Sequence, residues 1–367
     1  MRLTQRLTAA LLTSLTLLTG CDPEEEIIPD PAANPATVYV VNEGNFNRGN
    51  GTVSSFSKTD RAVTPDLFRG VNGRGLGDVV QSMAVASRKG YVVVNNSNKI
   101  EIVSLPDFKS VGVITGLRSP RYFLALDATR AYVTQWGNFG NTRPGIKVIN
   151  LLTNTIIDSI ATGPQPERLL LAGGRVFVAN SGSNTLSVID PATNRVSSTL
   201  TVGGAPNSLA LDAAGRLWVL CGGTVAYTPS YDVDYAATTP GQLVSVSVGA
   251  ATPTVSSARP FGTNRLQPVD LQMNAAKDQL YFRAVNASTF TGPVFRLGTS
   301  EASLPVLTGT PFIRRALYGL GIDPRTDVVY GGTGTFLGTD RLIRYQRSGA
   351  PLDSVVVGTG SNGFVFN

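Results

Sequence analysis

Apolar residues along this chain fall into short β-branched and aromatic runs bounded by turn formers, not into helical stripes. Seven runs repeat one pattern: Val38-Tyr39-Val40-Val41, Tyr91-Val92-Val93-Val94, Ala131-Tyr132-Val133-Thr134, Val176-Phe177-Val178-Ala179, Leu217-Trp218-Val219-Leu220, Leu280-Tyr281-Phe282-Arg283 and Val328-Val329-Tyr330. The clearest unit opens on Pro166-Glu167-Arg168-Leu169-Leu170-Leu171, turns at Gly173-Gly174 and runs through Val176–Ala179. It continues with Thr185–Asp190, a Pro191–Asn194 turn and Arg195–Leu200. The next unit opens on Pro206-Asn207-Ser208-Leu209-Ala210-Leu211 and turns at Gly215. Third strands recur at Lys99–Val103, Gly145–Ile149 and Asp340–Tyr345. Four short strands every 40–50 residues or so are the pattern of a propeller blade. The apolar inner strands suit sheets buried on both faces. The pattern predicts an all-β, seven-bladed β-propeller of four-stranded blades over residues 37–367. The first copy lacks an innermost strand, and the chain ends in Gly363-Phe364-Val365-Phe366-Asn367 with the matching pattern. That C-terminal strand is expected to join blade one and close the ring.

Ala131-Tyr132-Val133-Thr134, and Val176 to Asp190 around Ala-Asn-Ser-Gly-Ser-Asn, resemble the YVTN family of β-propeller repeats. The opening Tyr39-Val40-Val41-Asn42-Glu43-Gly44-Asn45-Phe46 is similar to surface propeller lipoproteins, some of which capture cobalamin for an outer-membrane transporter. The resemblance covers about residues 37–367 and speaks to fold more than to ligand, because the repeat residues are structural.

In a propeller, the turns joining strands one–two and three–four share one face, and the other loops share the opposite face. Here the first set is plain turn chemistry, such as Asp127–Arg130 and Asp212–Gly215. The second is longer and rich in aromatics, Asn and Arg: Glu43, Asn45, Phe46 and Arg48; Trp136 and Asn138; and a 222–241 insertion carrying Tyr227, Tyr231 and Tyr235. Such loops on a rigid scaffold are where binding is usually built. Aligning the innermost strands places Gln81, Tyr122, Glu167, Asn207, Val269, Tyr318 and Asn362 in a ring at that face, with Arg121, Arg168, Arg314 and Arg315 beside them. These residues are the candidate ligand-binding set.

Composition narrows the chemistry. Charged residues are 15%, with 39 glycines and 22 prolines, which suits many tight turns. Histidine is absent, which removes the commonest general base and transition-metal ligand. No catalytic residue, metal or cofactor is expected. Glu43 and Glu167 with nearby asparagines leave open a hard-cation centre such as some propeller lactonases use, although no spacing demands one. There is no P-loop or dinucleotide fingerprint, and Gly70–Gly75 is a glycine-rich loop without a following helix pattern.

The first residues form a processing signal. Arg2 and Arg6 precede an apolar stretch, Leu7–Leu18, too short to span a bilayer. Leu18-Thr19-Gly20-Cys21 resembles a bacterial lipobox, which implies a signal peptide over 1–20 and lipid on Cys21. Residues 22–36 are acidic and Pro-rich, with the composition of a tether. Asp22-Pro23-Glu24-Glu25-Glu26 also resembles the export tag of surface lipoproteins; a solvated spacer is the alternative. Without Arg2 and Arg6, 29 basic residues face 20 acidic ones outside the tether, a net +9. A basic surface attracts anions, but no Lys/Arg run marks a nucleic-acid interface. Cys221 remains alone in an apolar strand, so the mature chain forms no internal disulfide.

The expectation is a non-enzymatic outer-membrane lipoprotein at the cell surface, monomeric apart from a transporter, binding a small nutrient such as a corrinoid on its loop-rich face. A metal-dependent propeller lactonase and a protein-interaction scaffold are the competing readings.

Overall fold

The computed structural model of the chain describes residues 36–137, 143–249 and 252–366. Within them lie seven antiparallel four-stranded sheets. Blade two spans residues 80–114, blade three 120–161, blade four 166–201, blade five 206–260, blade six 267–317 and blade seven 319–357. Blade one is assembled from both ends of the ring. Thr37–Asn42, Thr52–Ser57 and Val63–Thr64 come first in sequence, and Ser361–Phe366 pairs antiparallel with Thr37–Asn42 as the innermost strand. The C-terminal strand therefore closes the ring. All seven apolar runs are second strands, with Val328 alone falling just outside its strand, Val329–Gly332. The three predicted third strands are Lys99–Ser104, Gly145–Asn150 and Asp340–Tyr345.

The apolar runs follow from the packing. Side chains along a strand alternate between faces, and each inner strand lies between two neighbouring blades. Val38 and Val40 pack with Phe56, Tyr330 and Leu342 toward blade seven. Tyr39 and Val41 pack with Val80, Met83, Val92 and Val94 toward blade two. Both faces are buried, so both are apolar. Every second strand places an aromatic at the equivalent position: Tyr39, Tyr91, Tyr132, Phe177, Trp218, Tyr281 and Tyr330, none more than 2% exposed. Outer strands lose this demand, and Arg195–Thr201 alternates between exposed and half-buried residues.

Blade one differs from the others at its rim. Its outer strand is two residues long, and a short helix, Leu67–Asn72, takes up the space beside it. Phe68 of that helix is fully buried in the core between blades one and two. Gly70, expected in a loop, is helical, and Gly73 ends the helix at φ 68°. No described helix is long and apolar enough to cross a membrane.

The chain enters blade one at Thr37, opposite Ser57, and the Lys58 N–H donates to the Ala36 carbonyl at 2.7 Å. This is the end of the sheets that carries the strand one–two and three–four turns. The longer loops open at the other end. Residues 1–35, with Cys21 and the acidic tether, lie outside the described residues.

Candidate functional site

Five of the seven innermost strands begin alike. A residue in the left-handed region turns the chain into the strand: Val79 (φ 55°), Ser119 (φ 48°), Gln165 (φ 49°), Ala205 (φ 50°) and Gly360 (φ 66°). One paired residue follows, and then the register slips. The skipped residues are Gln81 in blade two, Arg121 and Tyr122 in blade three, Glu167 and Arg168 in blade four, and Asn207 in blade five. Asn362 is skipped in blade one, and in blade six Asp270 and Leu271 are skipped after three paired residues. Such bulges release side chains from the pleat and re-aim them. Apart from Leu271, all of these side chains line one cavity of about 510 Å³ at the centre of the loop-rich face. Blade seven contributes Tyr318, immediately before its inner strand Gly319–Ile322.

Arg121 is the hub. Its Nε donates to Glu167 Oε1 at 3.0 Å, its Nη1 donates to Gln81 Oε1, and its guanidinium lies 4.2 Å from the Trp136 ring centre. Arg168 stacks 4.1 Å over the Tyr122 ring and makes no ion pair or hydrogen bond among the described residues. Opposite, the Tyr318 hydroxyl donates to Glu43 Oε2 at 2.5 Å. The Asn362 amide donates to the Gln81 carbonyl at 3.2 Å, leaving its own Oδ1 buried without a partner. Asn207 donates to the Pro268 carbonyl at 3.0 Å.

Burial pushes the Glu43 carboxyl above its ordinary value, with the Tyr318 hydrogen bond and the Arg121 charge working against it. Burial also raises Glu167, with Arg121 again opposing. Burial works against the charge of Arg121, but Glu167, Tyr122 and Glu43 together outweigh it and its pKa rises. Burial raises the Tyr318 hydroxyl, and the neighbouring Glu43 charge adds to the effect.

The cavity holds two charged residues that sequence reasoning missed as site residues. Arg283 sits in the second strand of blade six, where other blades carry apolar or small residues. It donates to Asp270 Oδ2 from Nε at 2.9 Å and Nη2 at 2.6 Å, and from Nη1 to the Leu317 carbonyl at 2.7 Å. With this pair counted, Arg121, Arg168 and Arg283 face Glu43, Glu167 and Asp270. The mouth is charge-balanced, so the basic surplus of the propeller lies elsewhere.

The cavity continues into a second pocket of about 490 Å³ lined by Asn45, Phe46, Phe290 and Phe336. Phe46 and Phe290 are more than 60% exposed there. Asn45 donates to the Phe336 carbonyl at 2.9 Å, tying the blade-one loop to that of blade seven.

Of the predicted set, the structure brings together Glu43, Asn45, Phe46, Gln81, Arg121, Tyr122, Trp136, Glu167, Arg168, Asn207, Val269, Tyr318 and Asn362. Arg48 is exposed on the same face but lines neither pocket, and exposed Tyr227 and Tyr231 lie on the blade-five insertion away from the cavity lining. Arg314 and Arg315 are not beside the ring. They lie on Ile313–Leu317, the outermost strand of blade six, because Tyr318 alone separates that strand from the next blade. Asn138 lies outside the described residues. Among those residues, no three His, Cys, Asp or Glu gather around a point that could hold a metal ion.

A family model described as "Domain of unknown function (DUF5074)" matches residues 36–341. Among solved structures, the chain is similar to a periplasmic gluconolactonase of Pseudomonas aeruginosa, with a TM-score of 0.63 and 13% identity over 90% of this chain and 99% of that one. It is similar to a putative 6-phosphogluconolactonase of Bacteroides fragilis, with a TM-score of 0.63 and 10% identity over 92% and 99%. A quinonprotein alcohol dehydrogenase-like protein of Bacteroides thetaiotaomicron gives a TM-score of 0.62 and 13% identity over 90% and 78%. At these identities the likeness is one of fold. The PE-PGRS family protein PE_PGRS18 of Mycobacterium tuberculosis is 51% identical over 39 residues, 11% of this chain and 8% of that protein.

Proposed function

The chain belongs to the family described as Domain of unknown function (DUF5074), and on that premise we propose that it is a non-enzymatic surface lipoprotein that binds a small polar ligand in the central mouth. The observation that carries this reading is the set of register slips, which turns the skipped residues of the inner strands into one cavity. Arg168 offers donors without a protein acceptor there, and Asn362 Oδ1 is a buried acceptor without a donor. Buried polar groups without partners favour a ligand that supplies them. The balanced charge favours a neutral or zwitterionic ligand over a strongly anionic one. A larger molecule would use the aromatic rim as well. The lipobox-like Leu18–Cys21 and the acidic segment behind it support attachment to the outer membrane, with a transporter as recipient of the ligand. A corrinoid is the first candidate.

Isothermal titration with cobalamin, then with a panel of polar nutrients, tests the reading. Binding that weakens at least tenfold in Arg168→Ala, with an unchanged melting temperature, is expected. Binding that ignores Arg168 would remove the mouth as the site.

A lactone-hydrolysing activity is the second reading. Two of the similar structures are named as lactonases, and Glu43 is a half-buried carboxyl of raised pKa facing the cavity, a suitable general acid or base. It requires turnover of a lactone that Glu43→Gln abolishes.

A further inference from the structure

Arg314 and Arg315 lie where the outer ladder of blade six breaks. Leu317 pairs with Gly292 and Ile313 with Val294, so Arg314, Arg315 and Ala316 bulge against the single residue Pro293. All three are exposed, and neither arginine forms an ion pair or hydrogen bond among the described residues. They border a groove of about 710 Å³ between blades six and seven. Along Asp340–Tyr345, alternation turns Arg341, Ile343 and Tyr345 toward this groove, while Leu342 and Arg344 pack toward blade one. Tyr345 is only 5% exposed, yet its hydroxyl has no hydrogen-bond partner. Burial pushes that hydroxyl's pKa up, and the Arg315 charge pulls the other way. Asp353, the acid in the lining, is occupied by Arg344 at 2.8 Å and Arg61 at 3.4 Å. Arg341 is engaged by Ser354 Oγ at 3.0 and 2.6 Å, so the groove's donors without an acceptor are Arg314, Arg315 and the Tyr345 hydroxyl. Arginine forks match phosphate geometry.

We propose that this groove binds a phosphate group presented by an anionic lipid headgroup. Two features favour a lipid over a soluble ester. Phe312, Pro311, Pro351 and Leu352 give the groove apolar flanks. The first three lie by the strand three–four turns, at the end of the propeller where Ala36 enters. The lipid source, though not the phosphate site, rests on the proposed lipid at Cys21, which would bring this end toward a bilayer.

The ring closes within residues 37–366, so a chain starting at Asp22 keeps it and carries no lipid of its own. Its partition onto phosphatidylcholine vesicles with and without phosphatidic acid is measured by co-sedimentation. Binding only to the phosphatidic acid vesicles is expected, weakened about 30-fold in Arg314→Gln/Arg315→Gln at roughly one decade or less per arginine. A control, Lys109→Gln/Arg195→Gln, removes equal charge elsewhere and should bind as the parent does. Tyr345→Phe should weaken binding without lowering overall charge. Equal binding to neutral vesicles, or equal losses in the control and the groove variant, overturns the site. Binding of glycerol 3-phosphate with no vesicle binding overturns the lipid source.

Discussion

Deleting residues 361–367 removes the strand that closes the ring, and its cost is calculable. Ser361–Phe366 pairs with Thr37–Asn42 over five residue pairs. Losing about five hydrogen bonds at about 1 kcal/mol each removes about 5 kcal/mol. Phe364 and Phe366 pack 5.9 and 5.1 Å from the Tyr330 ring. A fully buried Phe is worth about 3–5 kcal/mol, and these two are half-buried, so about 2 kcal/mol each is appropriate. The total, about 9 kcal/mol, consumes most of the stability of an ordinary domain. With an unfolding entropy near 2.1 cal/mol/K per residue, the melting temperature falls by about 13 °C, and Phe364→Ala alone lowers it by about 3 °C. Calorimetry or circular dichroism on the truncated and point variants measures both. A truncated chain melting at the parent temperature would refute the closure argument, because Val38, Val40 and Val41 could not stay buried without that strand.

Glu167→Ala removes the ion-pair partner of the mostly buried Arg121 and should cost about 3 kcal/mol in urea unfolding, while Glu167→Ala/Arg121→Ala costs less than the two single changes added together. Asp340 is buried, which works against its charge, but donors from Gly360, Thr335 and Thr333 outweigh that and hold its pKa below the usual range. Its contribution is present above the unfolded value near 4 and lost as pH falls through the lower folded value. The urea midpoint should therefore drop more between pH 7 and pH 3 in the parent than in Asp340→Asn. Burial pushes the Cys221 thiol up to about 12, so a thiol-reactive dye at pH 8 should label a chain starting at Asp22 only after denaturant is added.

The propeller was legible because both faces of each inner strand are buried, which writes the second strands as unbroken apolar runs. The site ring was legible for a related reason. Pro120, Pro166 and Pro206 mark the same step of three inner strands, and aligning them locates Arg121, Glu167 and Asn207, with Tyr122 one residue further on. Asp270 and Arg283 escaped because Arg283 closes the run Leu280-Tyr281-Phe282-Arg283, where its charge looks like the end of a strand. Its neutralising partner is thirteen residues upstream, on a different strand. Arg314 and Arg315 were misplaced because four residues from Tyr318 is close in sequence, while a strand outward in the blade is far in space. Periodicity reports burial, and it does not report the register slip that decides which side chains leave the sheet.

Blade one also sets a timetable. Its strand Thr37–Asn42 leaves the ribosome long before its partner, Ser361–Phe366. The ring stays open until that strand arrives, because only blade one draws its strands from both ends of the propeller. The seam also runs through the binding mouth, since Asn362 belongs to the late strand and Glu43 follows the early one. A ligand held between them, as proposed above, would fasten the ring shut, and the closing strand would become harder to peel away under saturating ligand.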